Sequence, residues 1–227
     1  MNDRTSTAKA WAASLLIFLF LCAVLFGSAG TFDYWQAWVF WVAWIVANTA
    51  LGLYVKKTDP ALLERRMRAG PTAETRPSQR IIMTLIMVGC IAIFAIAGLD
   101  RRFGWSQVPP WLALLGDGLL LLSYVVFLFV FKQNTYAAST IQLAQDQKVI
   151  STGLYHYVRH PMYSGAFFLW IGIPLALGSY WDILVGLALT PVMVWRIFDE
   201  EKFLRENLEG YTDYCNRVKF RLIPFLF

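Results

Sequence analysis

Charged residues are scarce in this chain of 227 residues: they make up 15% of it, against about 25% in an ordinary soluble domain. Hydrophobic residues make up 58%, against roughly 45–50% in soluble domains. This balance excludes a soluble globular protein, a disordered chain and a nucleic-acid-binding module, even though the net charge is +5.

Cysteine and histidine are also rare, with three and two copies. Cys22 and Cys90 lie inside apolar runs and no CxxC motif occurs, so we predict neither a disulfide framework nor a zinc site. The two histidines are four residues apart without an HExxH pattern, and no glycine-rich phosphate-binding motif is present. We therefore predict no metal site, and Cys215 is a minor candidate for a reactive thiol.

What the sequence has in abundance is apolar runs, of which the longest approach the ~20 residues that cross a bilayer. The runs are residues 11–27, 35–55, 81–99, 111–131, 163–177 and 183–198. The last two are shorter, and each is interrupted by a proline, Pro174 or Pro191. Because lipid admits only helices or closed barrels, and the runs lack strand alternation, we predict an all-α integral membrane protein. It has five to six transmembrane helices, the last two forming a helical hairpin.

Basic residues set the expected orientation. With six helices and a cytoplasmic N-terminus, eighteen lysines and arginines lie on the cytoplasmic side, Arg4 and Lys9 among them, and only Arg101 and Arg102 lie opposite. This asymmetry predicts cytoplasmic termini, and we expect the chain in a bacterial inner membrane. We divide it into N-terminal transmembrane helices, 1–131, and a C-terminal region, 132–227, with a hairpin and a cytoplasmic C-terminal helix.

Three features outside residues 132–227 need interpretation. A tryptophan series on one helix face is either an aromatic wall for a ligand cation or, as we favour, a lipid-contact surface. The series is Trp35, Trp38, Trp41 and Trp44. Asp117 is either a functional intramembrane carboxylate or a residue at the membrane interface. The charged loop 56–80 suggests no chemistry.

The segment 147–165 combines glycine, tyrosine, arginine and both histidines just before an apolar run. Gly153 predicts a turn, and Pro161 suits the first position of the next helix. That places His160 at a helix N-terminus, where backbone N–H groups favour an anion. A basic surface loop with interfacial tyrosines is the alternative. A second polar cluster follows the last run, where Arg196 and Glu200 share a helix face.

Together these two clusters carry a family resemblance. The block Gly153-Leu154-Tyr155 with Arg159-His160-Pro161-Met162-Tyr163 resembles the isoprenylcysteine carboxyl methyltransferase family, as do two further blocks. These are Arg196 with Glu200-Glu201 and Leu204, and Tyr211 with Tyr214, Val218 and Pro224. Phospholipid N-methyltransferases and bacterial thiol S-methyltransferases look related. The resemblance covers roughly 132–224 and does not specify the substrate. It implies that 132–227 is the catalytic methyltransferase region, with a cytoplasmic cofactor pocket.

The resemblance implies an integral membrane enzyme that transfers a methyl group from S-adenosylmethionine to a lipophilic acceptor at the cytoplasmic membrane face. The acceptor is a carboxylate, a thiol or an amine, and the expected partners are the lipid bilayer and this small substrate, with no nucleic acid and no metal. The implied cofactor-binding residues are Gln147, Val149, Ile150, Gly153, Tyr155, His160, Pro161, Met162, Tyr163 and Glu200. The implied catalytic residues are Arg196 and Glu200, with Arg196 binding the substrate.

Two other functions compete with this one. Sterol reductases resemble the family in their C-terminal membrane half but use NADPH, and they are longer, with more spans. A non-enzymatic membrane protein is the third class, against which the intact His160, Arg196 and Glu200 argue. The chain departs from the pattern of the eukaryotic family members, because it has Asn207 and Leu208 where Phe-Gly is usual. The resemblance therefore does not make prenylcysteine the expected substrate.

Overall fold

The computed structural model describes the backbone of residues 3–227 and the side chains of residue 12 and residues 14–227. This part of the chain contains α-helices and short turns and no strand. The α-helices are α1 (Asp3–Ala29), α2 (Trp35–Thr58), α3 (Pro60–Met67), α4 (Pro77–Phe103), α5 (Pro110–Gln133), α6 (Pro161–Ala176), α7 (Trp181–Asn207) and α8 (Tyr211–Arg217).

Helices α2, α4, α5 and α7 are long and apolar enough to cross a bilayer. The apolar parts of the other two long helices are shorter, at Ser14–Ala29 and Pro161–Ala176. The prediction of an all-α membrane protein is confirmed, whereas a count of five to six spans and the orientation stay predictions. Two basic residues behind that orientation, Arg4 and Lys9, have side chains outside the described ones.

The helices bury small and apolar side chains against one another and present large apolar ones outward. Helix α5 packs on α6 and α2, and α4 packs on α1 and α7. Leu25, Phe40 and Leu120 in the core have no exposed surface. Val42 and Leu187, in contrast, are 62% and 61% exposed. An outer surface this apolar suits contact with lipid rather than with water.

The predicted hairpin forms, with one difference from expectation. Pro161 is the first residue of α6, as predicted, and Gly178 between α6 and α7 adopts a φ of +75°. The prediction that Pro174 and Pro191 interrupt the last two runs was wrong, because Pro174 lies inside α6, of 16 residues, and Pro191 inside α7, of 27 residues. At 1.5 Å per residue α7 is about 40 Å long, which exceeds the ~30 Å hydrocarbon core. The helix is therefore longer than the core is thick, and Arg196 and Glu200 lie in its C-terminal half.

Close approach of α5 and α6 depends on glycine at position 116. A Cβ atom there would lie 2.3 Å from the Ala176 nitrogen and 2.6 Å from the Gly172 oxygen, both backbone atoms that cannot rotate away. We expect Gly116→Ala to lower the free energy of unfolding by about 1–3 kcal/mol, as overpacking does. Gly118→Ala is the matched control, because a Cβ at 118 meets nothing within 4 Å. Equal thermal unfolding midpoints in one detergent would contradict this packing.

The tryptophan series packs within the protein and faces outward, without forming a wall around a site. Trp41 stacks on Phe94 with ring centroids 5.2 Å apart, and the Trp38 indole donates to the Phe32 carbonyl at 2.9 Å. Trp35 is 41% exposed. This arrangement favours the lipid-contact interpretation over an aromatic wall.

Asp117 and Cys215 are both buried. Neither carboxylate oxygen of Asp117 has a hydrogen-bond partner within the described residues, so both of its interpretations stay open. Burial raises the pKa of the Cys215 thiol, which disfavours the thiolate and hence a reactive role.

Candidate functional site

One cavity unites the two polar clusters that the sequence singled out. It opens to solvent and lies where the 134–160 segment, the start of α6, the end of α7 and α8 meet. Nine of the ten predicted cofactor residues line it, together with Arg196. They are Gln147, Val149, Ile150, Tyr155, His160, Pro161, Met162, Tyr163 and Glu200. Gly153 is the exception.

Gly153 shapes the loop instead of lining the cavity. Its φ is +60°, a conformation that favours glycine, and a Cβ there would lie 2.4 Å from the Gln133 side chain. The Gln133 side-chain oxygen accepts the backbone N–H of Leu154 at 2.8 Å. The predicted turn is therefore present, and it directs the chain from the end of α5 toward Tyr155.

Tyr155 is held at both its polar ends. Its hydroxyl accepts a hydrogen bond from the Asn134 amide at 2.8 Å, and its carbonyl accepts one from the Tyr214 hydroxyl at 2.7 Å. Burial raises the pKa of Tyr155 to about 12, so the phenol stays neutral at physiological pH. Tyr155 is thus placed to contact a ligand and is not suited to act as a base.

The paired glutamates at the end of α7 point in different directions. Successive residues on an α-helix are separated by about 100°. Glu200 lines the cavity and accepts a hydrogen bond from the Tyr163 hydroxyl at 2.6 Å. Glu201 does not line it. The buried Glu201 accepts from the Arg159 Nε at 2.7 Å, and the His160 Nε2 lies 3.2 Å away.

Arg159 and the backbone beside it tie the loop to the last residues of the chain. Its Nη1 donates to the Val218 carbonyl at 2.8 Å, and its own N–H donates to the Phe220 carbonyl at 3.0 Å. The His160 N–H donates to the Arg221 carbonyl at 2.9 Å. This part of the motif therefore holds the cavity wall together, although the His160 side chain also lines the cavity.

Arg196 is the centre of a buried polar network. Its Nε donates to the Tyr163 hydroxyl at 2.9 Å and its Nη2 to the Ser139 carbonyl at 2.9 Å. Its Nη1 donates to Gln79 at 2.8 Å and forms an ion pair with Glu74 at 3.2 Å. Four of its five N–H directions are thus used within the protein.

Loop 56–80, which suggested no chemistry from its sequence, supplies buried contacts to Arg196. Glu74 is 1% exposed and Gln79 has no exposed surface, and both contact Arg196. Arg76 from the same segment pairs with Asp199 at 3.0 Å. No spacing pattern links this loop to α7, since the contacting residues are more than a hundred positions apart in sequence. A buried carboxylate in a proline-rich loop is recognised only when its partner is seen.

Comparison with known proteins identifies this part of the chain. Residues 111–209 match the sequence model of a family described as phospholipid methyltransferase. The match covers less than half of the chain, and it confirms the predicted resemblance to this group of membrane methyltransferases. The matched residues hold α5, the first motif, α6 and α7.

Part of the chain is also similar to a reductase. A stretch of 91 residues is 29% identical to Delta(14)-sterol reductase TM7SF2 of Mus musculus, and it covers 39% of this chain and 22% of that protein. The match thus spans about a fifth of the length of this curated relative.

The cavity fits an adenosyl cofactor by its donor set. The Tyr211 hydroxyl lines the cavity and is buried without a hydrogen-bond partner among the described residues, which a bound polar group would satisfy. Glu200 supplies a carboxylate for an ammonium or a hydroxyl. No cluster of three or more metal-ligating side chains occurs in the described part.

Proposed function

We propose that this chain transfers a methyl group from S-adenosylmethionine to a lipophilic acceptor at the cytoplasmic face of a bacterial inner membrane. The observation that supports this most is the single cavity that brings the three family motifs together beside α6 and α7. The family match over residues 111–209 supports the reaction class. The acceptor's nucleophile is a carboxylate, a thiol or an amine.

The proposed cofactor site uses chemically distinct groups along the cavity. Glu200 binds the cofactor's ammonium or ribose hydroxyls, and Tyr211 donates to a polar atom of the bound molecule. Tyr155, Met162 and Tyr163 provide aromatic and apolar surface. Gln147 contributes mainly through its position, because its side-chain oxygen already accepts the Ala144 N–H at 3.0 Å.

S-adenosylmethionine supplies a methyl group already activated on a sulfonium, so the protein's task is mainly to position and desolvate the reactants. A carboxylate or thiolate acceptor needs no base, whereas an amine must reach the site neutral. Arg196 orients Tyr163, and Tyr163 in turn orients Glu200. We propose that these hydrogen bonds let Arg196 fix the positions of the side chains on the acceptor side of the cavity. Its remaining N–H then donates to the acceptor.

A reductase is the second candidate, because the chain is similar over 91 residues to a protein named a sterol reductase. In that case NADPH, and not S-adenosylmethionine, binds in the cavity. Binding of the two cofactors distinguishes these functions without knowledge of the acceptor.

Calorimetric titration of the purified, detergent-solubilised chain tests the proposal. We expect S-adenosylmethionine to bind and NADPH not to bind. Glu200→Gln should weaken S-adenosylmethionine binding about tenfold or more, since a hydrogen bond to a charged group contributes ~1.5–3 kcal/mol. Glu206→Gln, an exposed glutamate on the same helix, is the control and should bind normally. Binding of NADPH alone would overturn the proposal in favour of the reductase.

A further inference from the structure

Residues 74–79, which lead into the first turn of α4, lie outside the stretch 111–209 that matches the family model. Two of their side chains, Glu74 and Gln79, nevertheless contact the Arg196 guanidinium, and both are buried. Glu74 neutralises Arg196, whereas Gln79 carries no charge. A buried amide beside an ion pair that is already complete adds no charge, so its contribution lies in geometry.

The Gln79 amide has one orientation that satisfies both of its neighbours. Its oxygen accepts a hydrogen bond from the Arg196 Nη1 at 2.8 Å, and its nitrogen donates to the Asp199 carboxylate at 2.5 Å. A guanidinium only donates hydrogen bonds and a carboxylate only accepts them. An amide between the two must therefore turn its oxygen to Arg196 and its nitrogen to Asp199. The reversed amide would place donor against donor and acceptor against acceptor, so Asp199 determines which end of Gln79 meets Arg196.

Asp199 is itself held by neighbouring side chains. The Arg76 Nη2 donates to its Oδ1 at 3.0 Å, and the Ser78 hydroxyl donates to its Oδ2 at 3.2 Å. Asp199 and Arg196 are three positions apart on α7, so they lie on the same side of the helix. Gln79 bridges these two residues from α4. A hydrogen-bonded chain thus runs from the Arg76 guanidinium to the Arg196 guanidinium.

The contacts at Nη1 determine where the rest of the Arg196 guanidinium points. Because the group is planar and rigid, acceptors that hold Nη1 also fix the directions of Nε and Nη2. Nε donates to the Tyr163 hydroxyl and one N–H of Nη2 donates to the Ser139 carbonyl, both at 2.9 Å. The second N–H of Nη2 has no acceptor among the described residues, so it is the one available to a ligand.

We propose that Gln79, oriented by Asp199, is a positioning residue that aims the free Nη2 N–H of Arg196 at the methyl acceptor. This inference rests on the proposed function and adds to it a contribution from the N-terminal half of the chain. A displacement of about 1 Å can lower the rate of a positioned reaction about a hundredfold, so a neutral side chain remote from the reacting atoms can control turnover. A positioning role predicts slower turnover with S-adenosylmethionine binding retained, whereas mere support of the cavity predicts the loss of both.

Gln79→Leu removes the acceptor and keeps a side chain of similar volume. Transfer of label from S-adenosylmethionine into a total lipid extract should fall about tenfold at saturating cofactor, since a hydrogen bond to a charged group contributes ~1.5–3 kcal/mol. The KM for S-adenosylmethionine should change by less than about twofold, because no group that binds the cofactor is removed. Gln145→Leu, at an exposed glutamine outside the cavity lining, is the control. Equal turnover by the two variants would overturn the inference, as would a loss of cofactor binding in Gln79→Leu that matches its loss of turnover.

Combining Gln79→Glu with Asp199→Asn exchanges the two side-chain types and leaves the total charge unchanged. Gln79→Glu alone sets one carboxylate against another and should lower label transfer about tenfold. In the double variant, the amide at position 199 donates to the carboxylate at position 79, which still accepts from Arg196. Label transfer should therefore return to within about threefold of that of the unaltered chain, as expected for residues in direct contact. Asp213→Asn, at an exposed aspartate, is the control and should restore nothing in the Gln79→Glu background. A double variant no faster than Gln79→Glu alone would refute orientation by Asp199.

A readout that needs no acceptor separates this inference from the proposed function. In the full chain with isotope-labelled arginine, the Arg196 Nε–H resonance is identified by its loss in Arg196→Met. Its exchange with solvent should be about tenfold faster in Gln79→Leu and unchanged in Gln145→Leu, because the guanidinium opens more often once an acceptor is lost. Unchanged exchange in Gln79→Leu would overturn the inference. Failure of the unaltered chain to bind S-adenosylmethionine would instead contradict the proposed function and the acceptor's part in this inference, and the exchange rates would still decide whether Gln79 holds Arg196.

Discussion

Glu201→Ala is expected to lower the free energy of unfolding by about 3–5 kcal/mol, the usual cost of removing one partner from a buried ion pair. Glu201 is 3% exposed and receives the Arg159 Nε at 2.7 Å and the Arg221 Nε at 3.3 Å. Without it, the buried Arg159 retains its charge and keeps only backbone carbonyls as partners. Chemical unfolding in mixed micelles measures the difference.

The neighbouring glutamates provide the internal comparison for this prediction. Glu206→Ala on the exposed side of α7 should change stability by less than about 0.5 kcal/mol, as surface substitutions usually do. Glu201→Gln keeps a hydrogen-bond acceptor, so its free energy of unfolding should lie between those of Glu201→Ala and Glu206→Ala. Were Glu201→Ala as stable as Glu206→Ala, the assignment of a structural role to Glu201 would be refuted.

Glu200 and Glu201 have different roles, and the sequence alone could not predict which of the two faces the cavity. The motif and its position after an apolar helix predicted that a glutamate enters the site. The choice of Glu200 came from the family resemblance, and the structure places Glu200 and not Glu201 at the cavity. A helical rotation of about 100° separates two adjacent residues, yet which direction faces the cavity depends on how α7 packs on α4 and α6.

Local signals predicted the helices and the turns well, because proline, glycine and apolar runs act over a few residues. Pro161 begins α6 and Gly153 adopts a positive φ for reasons visible in the sequence itself. Glu74 and Gln79 could not be found in this way. Their role arises from contact with Arg196, about 120 residues further along the chain, and no local periodicity encodes it.

The Glu74–Arg196 pair leads to the second large effect. Arg196→Met should lower the free energy of unfolding by about 3–5 kcal/mol, since it leaves Glu74 as a buried carboxylate without its cation. It should also reduce methyl transfer about a hundredfold, because the Tyr163 hydroxyl loses the donor that fixes its position on the acceptor side of the cavity. Transfer of label from S-adenosylmethionine into a total lipid extract measures the second effect.

A double variant separates the two consequences of losing Arg196. Glu74→Gln in the Arg196→Met background removes the unpaired carboxylate charge of Glu74. It should recover about 2 kcal/mol of the free energy of unfolding, within the range of coupling energies for residues in contact. Methyl transfer should stay low, because nothing in the double variant donates to Tyr163 as the Arg196 Nε does at 2.9 Å. S-adenosylmethionine binding should be largely kept in both variants, since the Glu200 carboxylate is intact. Recovery of methyl transfer together with stability would mean that Arg196 only supports the fold and has no part in positioning the reactants.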